Sequence, residues 1–239
     1  IGGNTYTSYV KTNFYDALAA GTYVRQGVTH TTASYVNQIR IDRAIWGNMA
    51  EWDIGMGAVG AAAVGADTTE WVQGVMDELN EHDSANYYDV LGLAGSVYGL
   101  STAGVDFDPT AGDLASASSV SDLADILAGY QLSSGGLTWN SGYLGEGQGN
   151  ETIQETAYGI LAFSAFDPVT YSNEILSARQ YLASTQLSTG GWENYTGRGE
   201  NNTVTGEALW GEPCPEPLTM AGLMLGVGAL GGYLRRRRA

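Results

Sequence analysis

Five carboxylates stand at the beginning of apolar stretches of the sequence, and they are the side chains best placed to do chemistry. Asp16, Asp53 and Asp89 recur at separations of 37 and 36 residues, and two later apolar runs begin at Glu155 and Glu207. An aromatic residue lies close to each acid: Tyr15, Trp52, Tyr88, Tyr158 and Trp210. Carboxylates around an aromatic-lined cavity could bind a ligand or donate a proton. The candidate catalytic residues are therefore Asp53, Asp89 and Glu155.

Helix capping explains the same carboxylates without catalysis, and it is the interpretation that we favour. An acid in the first turn accepts the free amide hydrogens of a helix and interacts well with the helix dipole. The sequence also offers no cluster of cysteine and histidine, since Cys214 is the single cysteine and His30 and His82 stand alone. We expect both histidines to lie on the surface, and we expect neither a metal site nor a cofactor.

An internal repeat predicts the elements that would position these acids. Residues 186–192 read Gln-Leu-Ser-Thr-Gly-Gly-Trp, and residues 131–136 read Gln-Leu-Ser-Ser-Gly-Gly. Each copy follows apolar residues at helical spacing, and its paired glycines suit the left-handed conformation that ends a helix. The repeat residues are Gln131, Gly135, Gly136, Gln186, Gly190, Gly191 and Trp192. We therefore predict an all-α array of helix hairpins over residues 1–211.

Amphipathic and apolar stretches alternate and divide this region into outer and inner helices. The predicted outer helices are 31–45, 68–79, 120–132 and 171–187. The run 54–66 has no polar face, which is typical of a buried inner helix, and we expect its glycines to let helices pack backbone to backbone. About four hairpins fit into the chain. Loops are predicted at 102–119 and 142–150.

The Gln-x3-Gly-Gly-Trp loop between an outer and an inner helix resembles the repeat of the terpenoid cyclase and protein prenyltransferase superfamily. The full motif runs from Gln186 to Trp192, whereas the copy at Gln131 has Leu137 in the position of the tryptophan. The resemblance implies an α/α toroid, in which outer helices surround a ring of inner helices. Closed toroids of this superfamily have more hairpins than this chain accommodates, so the toroid is expected to be open or incomplete.

The catalytic motifs of that superfamily do not carry over to this sequence. Its terpene cyclases protonate the substrate with an Asp-x-Asp-Asp type motif. The nearest match here, Asp106-Phe-Asp108-Pro109, lacks the final acid and lies in a predicted loop. Its prenyltransferases hold zinc with Asp, Cys and His, and this chain has no matching set. The resemblance therefore favours a body that is not an enzyme, with catalysis by the inner-helix carboxylates as the alternative.

The charge balance excludes one class of partner. The chain has 10 basic and 26 acidic residues, and four of the basic ones are the run Arg235 to Arg238. Because a nucleic-acid interface needs a basic face, we expect no nucleic-acid partner. An acidic chain suits an exported or salt-exposed protein. The sequence begins at Ile1 without a charged or apolar leader, so we expect that a signal peptide has been removed or that the sequence is truncated.

The composition changes abruptly after Trp210. Residues 212–239 combine a proline-rich linker, 17 uncharged residues at 218–234, and a terminal arginine cluster at 235–238. Such a stretch is at the short limit for a membrane helix, and the arginines would stay on the cytoplasmic side. We therefore predict one short transmembrane helix at 218–234, with the body on the other side of the membrane.

This three-part ending resembles the PEP-CTERM sorting signal of Gram-negative bacteria. The residues that carry the resemblance are Pro215, Glu216, Pro217, Arg235, Arg236, Arg237 and Arg238. The resemblance implies export, transient anchoring in the inner membrane, and removal of the tail by an exosortase-type processing enzyme. The mature protein would then reside on the cell surface or in the extracellular matrix, in connection with exopolysaccharide.

Three functions remain open on the sequence. We favour an exported surface protein whose non-catalytic helical body binds a polymer or lipid of the exopolysaccharide or envelope. The alternatives are a terpene cyclase-like enzyme and a polysaccharide-active enzyme that uses the inner-helix carboxylates. An open groove lined by exposed Trp and Tyr would favour a glycan ligand, and a closed apolar cavity would favour an isoprenoid. Buried neighbouring carboxylates with raised pKa values would favour either enzyme over a non-catalytic body.

Overall fold

The structure is a computed structural model that describes residues 3–143 and 149–211. Its α-helices are α1 (Gly3–Val10), α2 (Ala17–Ala19), α3 (Thr32–Arg43), α4 (Met49–Ala63), α5 (Thr69–Leu79), α6 (Asp89–Ala103), α7 (Val120–Gly129), α8 (Ile153–Phe166), α9 (Ser172–Thr185) and α10 (Asn202–Gly211). The other elements are a π-helical segment (Lys11–Asp16), 3₁₀ turns (Ala44–Trp46 and Ser141–Tyr143), and an antiparallel hairpin of β1 (Tyr23–Arg25) and β2 (Val28–His30). Helices make up 60% of the structure and strands 5%, which confirms the predicted helical fold.

The helices form two layers. Helices α4, α6, α8 and α10 make the inner layer, in which each helix contacts the next one in the chain. Helices α3, α5, α7 and α9 make the outer layer: α3 packs on α4, α5 on α4 and α6, α7 on α6 and α8, and α9 on α8. The predicted outer helices 31–45, 68–79, 120–132 and 171–187 are present as α3, α5, α7 and α9, whereas the apolar run after Asp16 forms only the three-residue helix α2.

The burial pattern explains this division. In α5 the buried side chains Trp71, Val72, Val75 and Leu79 follow helical spacing and leave an acidic outer face. Helix α6 is instead buried from Asp89 to Val97 without interruption, as expected for a helix that is packed on several sides. Helix α4 begins five residues before the predicted run 54–66, because its first turns bury the polar residue Glu51 as well as Trp52.

Glycines bring the central inner helices into backbone contact. A Cβ atom placed on Gly55 of α4 would lie 2.2 Å from the carbonyl oxygen of Gly95 in α6. A Cβ atom on Gly99 would lie 2.9 Å from the Cα atom of Gly55. Any larger side chain would force the two helices apart, so the predicted backbone packing is confirmed for Gly55. It is wrong for the other glycines of the run 54–66: Gly57 faces the ring of Trp71, Gly60 faces the hydroxyl of Tyr15, and Gly65 has no neighbour within 4 Å.

The two Gln-Gly-Gly loops have the same conformation. The side chain of Gln131 donates to the carbonyl of Gly135, and that of Gln186 donates to the carbonyl of Gly190, both at 2.8 Å. Gly135 and Gly190 both have φ of +93°, a left-handed conformation that favours glycine. Each loop thus closes on its own glutamine and turns the chain from an outer helix towards the next inner helix.

No helix within residues 3–143 and 149–211 is long and apolar enough to cross a membrane. The predicted transmembrane helix 218–234, the Pro-Glu-Pro motif and the arginine cluster lie outside the described residues.

Candidate functional site

The structure places the three candidate catalytic acids in three different surroundings. Asp53 accepts a hydrogen bond of 2.5 Å from Nε of Arg43 and is partly exposed. Asp89 and Glu155 are both buried, but they bond to different partners. The predicted ring of equivalent carboxylates is therefore not formed, because these three acids differ in burial and in hydrogen-bond partners.

Capping explains only some of these acids. Asp53 is the fifth residue of α4 and Asp16 ends the exposed π-helical segment, 3.6 Å from Lys11, so neither caps a helix as predicted. Asp89 and Glu155 do lie in the first turns of α6 and α8. Their roles must therefore be derived from their contacts.

The prediction that both histidines lie on the surface is wrong. His30 is 3% exposed and His82 is 2% exposed. His82 lies between two buried carboxylates, with its Nδ1 2.7 Å from Glu51 and its Nε2 3.0 Å from Asp89. Glu51 also accepts from the Ser96 hydroxyl at 3.2 Å. A histidine that is isolated in the sequence has become the centre of a buried triad.

The triad is best described as an imidazolium between two acids. Burial by itself lowers the pKa of His82, but Glu51 and Asp89 outweigh this effect and raise the pKa to about 10. Burial raises the pKa of Glu51, and His82 offsets only part of that rise. All three side chains are shielded from solvent, and they join α4, α6 and the segment after α5. We therefore assign the triad, including Asp89, to structure rather than to catalysis.

Glu155 has no comparable cation. It is 2% exposed, and it accepts a hydrogen bond from the hydroxyl of Thr152 at the beginning of α8. Burial raises its pKa to about 7; the Thr152 hydrogen bond opposes this rise and the nearby Glu207 adds to it. Near neutral pH this carboxyl group is therefore present in both its protonated and its ionised form.

Glu207 of α10 is the partner acid of this region. It accepts hydrogen bonds from the hydroxyl of Tyr158 and, at 3.1 Å, from the amide of Gln154. Burial also raises the pKa of Glu207. The ring of Tyr158 stacks on Trp52 of α4 with 3.5 Å between centroids, which links α4, α8 and α10.

The second copy of the repeat shows that the fold does not require an acid at position 155. The backbone amide of Leu137 donates to the hydroxyl of Thr156 at 2.9 Å, and that of Trp192 donates to the hydroxyl of Thr205 at 3.0 Å. The residues before these threonines, Glu155 and Val204, are both buried. A carboxyl group that is costly to bury occupies the place of a valine, which makes it a candidate functional group.

An aromatic surface lies at the loops that precede α4, α6, α8 and α10. We define it by six side chains: Trp46, Tyr87, Tyr88, Trp139, Tyr143 and Tyr195. Trp46 is 45% exposed and Tyr87 is 47% exposed. The hydroxyl of Tyr87 lies 2.7 Å from that of Tyr195, which is 108 residues away in the chain.

This surface surrounds an open cavity and adjoins the buried acid. The cavity has a volume of about 370 Å³ and is lined by Ile45, Asn86 and three of the rings, Trp46, Tyr87 and Tyr88. Burial raises the pKa values of Tyr88 and Tyr195, and the neighbouring Tyr87 and then Glu155 add to the rise in both cases. Sequence reasoning had singled out only Tyr88 as an aromatic neighbour of a candidate acid, since the other rings lie in loops without a common spacing.

Comparison with known proteins does not assign a role to any of these residues. No protein-family model matches the chain, and neither a curated protein nor a solved structure shows significant similarity to it. Within the described ranges, no group of three or more His, Cys, Asp and Glu side chains is arranged to hold a metal ion.

Proposed function

We propose that this chain is an exported surface protein whose helical body binds a polysaccharide of the cell envelope or its matrix. The observation that carries the proposal is the aromatic surface, in which three of the six rings line an open cavity. Trp and Tyr rings present an apolar face and a polar edge, which suits the alternating C–H faces and hydroxyl groups of sugars. The helical array would then be an arc of an α/α toroid that supports this surface.

The shape of the cavity favours a polymer over an isoprenoid. An isoprenoid chain needs an apolar enclosure that excludes water. Trp46 and Tyr87 are instead close to half exposed, and Asn86 adds a polar group between them. With a formal net charge of −16, the chain should also repel a strongly anionic polymer. A neutral or weakly charged glycan is therefore the proposed ligand.

Affinity electrophoresis in gels that contain the producing organism's purified exopolysaccharide tests this proposal. Trp46→Ala and Tyr87→Ala should abolish most of the retardation seen with the unmodified chain. Trp210→Ala is the matched control, because Trp210 is 46% exposed but lies on α10, outside the aromatic surface. Equal retardation of all four proteins, or none of any, would contradict the proposal.

The sorting of the protein is a separate part of the proposal. We infer from Pro215, Glu216, Pro217 and the arginine cluster that an exosortase-type enzyme removes the tail after export. The mass and the cell fraction of the mature protein should be compared between a strain that has this enzyme and one that lacks it. A shortened, surface-bound or secreted form is expected only with the enzyme, and an intact membrane-bound chain in both strains would overturn the sorting assignment.

Glu155 favours one second candidate function, cleavage of the bound polysaccharide. A carboxyl group with a pKa of about 7 can act as a general acid near neutral pH. In that case the unmodified chain should release new sugar ends from the polysaccharide, and Glu155→Gln should abolish this release while retaining binding. Glu70→Gln, an exposed acid in the first turn of α5, is the control. Binding without any release of sugar ends would leave the protein a non-catalytic one.

A further inference from the structure

A second cavity lies apart from the aromatic surface, between α3, α4, α5 and the N-terminal segments. Its volume is about 390 Å³, within the range of small-molecule sites. It shares no lining residue with the cavity at Trp46 and Tyr87. The lining residues that matter here are Arg25, Tyr35, Asp42, Arg43, Asp53 and Trp71.

The charged wall of this cavity consists of two ion pairs. Nη1 of Arg25 lies 2.5 Å from Asp42, and Nε of Arg43 lies 2.5 Å from Asp53. Two of the six basic side chains that precede the arginine cluster are therefore gathered at one cavity. Within each pair the arginine and the aspartate neutralise each other's charge. They leave N–H groups of Arg43 and carboxylate lone pairs without hydrogen-bond partners among the described residues.

The same cavity has an aromatic wall beside the ion pairs. The rings of Tyr35 and Trp71 meet edge to face at 6.1 Å between centroids, and Trp71, which is 2% exposed, closes the floor of the cavity. The guanidinium of Arg25 lies 5.7 Å above the ring of Tyr35. Gly57 leaves room for this arrangement, because a Cβ atom there would lie 2.1 Å from the ring of Trp71.

We propose that this cavity binds one pyranose unit of a neutral sugar. An anion would approach Asp42 and Asp53, a cation would approach Arg25 and Arg43, and a purely apolar ligand would leave the remaining N–H groups and carboxylate lone pairs of the two ion pairs without hydrogen bonds. A neutral sugar ring avoids all three costs. Its hydroxyl groups donate to the carboxylates and accept from the guanidinium groups, while its C–H face covers the aromatic wall.

This site is a different one from the aromatic surface, so the two proposals stand or fall separately. Ligand-observed NMR titration of the full-length chain with methyl glucoside, methyl mannoside, methyl galactoside and glucuronate tests the inference. We expect saturable binding of at least one neutral glycoside, with an affinity in the millimolar range and weaker binding of glucuronate. Trp46→Ala, which alters only the aromatic surface, should bind the glycoside as the unmodified chain does.

Variants at the charged wall make the test specific. Asp53→Asn and Arg43→Met should each weaken glycoside binding by about tenfold or more, because each removes a charged hydrogen-bonding group. Arg43→Lys keeps the charge but loses the planar guanidinium, and it should also weaken binding. Asp77→Asn is the matched control, since Asp77 pairs with Arg40 on the same helices α3 and α5 but does not line this cavity.

Three results would overturn the inference. The first is the absence of saturable binding for every neutral glycoside, and the second is tighter binding of glucuronate, which would indicate an anion site. The third is unchanged glycoside affinity in Asp53→Asn, Arg43→Met and Arg43→Lys. Circular dichroism of each variant distinguishes loss of the site from loss of the fold, and Arg43→Lys is the variant least able to disturb folding.

Discussion

The two Gln-Gly-Gly loops are nearly the same peptide in nearly the same conformation, but they have different neighbours. In the first loop the side chain of Gln131 also donates to the carbonyl of Glu174 in the outer helix of the next hairpin, at 2.8 Å. A Cβ atom on Gly135 would lie 2.3 Å from the carbonyl oxygen of Ser177 in that helix. In the second loop, Gly190 has no atom within 4 Å of that position and Gln186 is exposed.

The difference separates a local role of the loop from a tertiary one. The hydrogen bond from each glutamine to its glycine carbonyl spans four residues, so it forms whatever surrounds the loop. The contact with the following outer helix forms only where α9 is present. The motif therefore forms a turn in both copies, and in the first copy it also packs against the next outer helix. Paired substitutions in the two copies can measure these two roles.

The largest effect is expected at the apolar residue after the glycines. Trp192→Ala should lower the free energy of unfolding by about 4 kcal/mol and Leu137→Ala by about 3 kcal/mol, because both side chains are buried and leave cavities. Trp192 also donates its indole hydrogen to Leu182 at 2.8 Å. Urea denaturation measures both values. A cost below about 1 kcal/mol at Trp192 would show that the second copy is not packed as the first one is.

The second effect concerns Glu155 and depends on pH. The pKa of Glu155 is about 7 in the folded chain and 4.5 in the unfolded chain. Between these two pH values the folded chain keeps the proton and the unfolded chain has lost it, so the free energy of unfolding decreases as the pH rises. Glu155→Gln should therefore raise the free energy of unfolding by about 3 kcal/mol at pH 8, with no difference below pH 4.

Urea denaturation at a series of pH values measures this difference. Gln retains the capacity of position 155 to hydrogen-bond in the first turn. Val204, which takes the same place in the second copy, cannot titrate. The loss of stability in Val204→Ala should therefore be the same at every pH. A constant difference between Glu155→Gln and the unmodified chain would contradict the raised pKa.

The third comparison is between the left-handed glycines. Gly135→Ala should cost about 3 kcal/mol and Gly190→Ala about 1 kcal/mol, since both replace glycine at positive φ but only the first also collides with Ser177. Thermal unfolding followed by circular dichroism measures the two values. Equal costs would indicate that α9 shifts to accommodate the new methyl group.

The smallest effect is expected at the glutamines. Gln131→Ala should cost about 2 kcal/mol, because it removes the two hydrogen bonds that the amide of Gln131 donates to carbonyls in and beyond its loop, whereas Gln186→Ala should cost about 1 kcal/mol or less. Urea denaturation of both variants under one condition gives the difference. A larger cost at Gln186 would mean that its loop has a partner that the described residues do not show.

The sequence predicted the helices better than it predicted the site. Amphipathic spacing located the outer helices within a few residues, because the apolar stripe that makes the pattern is also the stripe that the core buries. Among the candidate acids, Glu155 remains the candidate for catalysis, whereas Asp53 is paired with Arg43 at the second cavity and Asp89 belongs to the triad with His82. The sorting signal stays a prediction, since it lies outside the described residues.

What the sequence by itself determined is local: the glutamine-closed loops and their left-handed glycines arise from interactions within about one turn of chain. The paired glycines do not end the helices as predicted, since α7 already ends at Gly129 and α9 at Thr185. What only the tertiary structure decided joins residues that are far apart. His82 meets Glu51 31 residues away, and Tyr87 meets Tyr195 108 residues away. Such contacts have no period in the sequence, because they depend on which helix packs against which. The candidate site therefore became visible only in the folded chain.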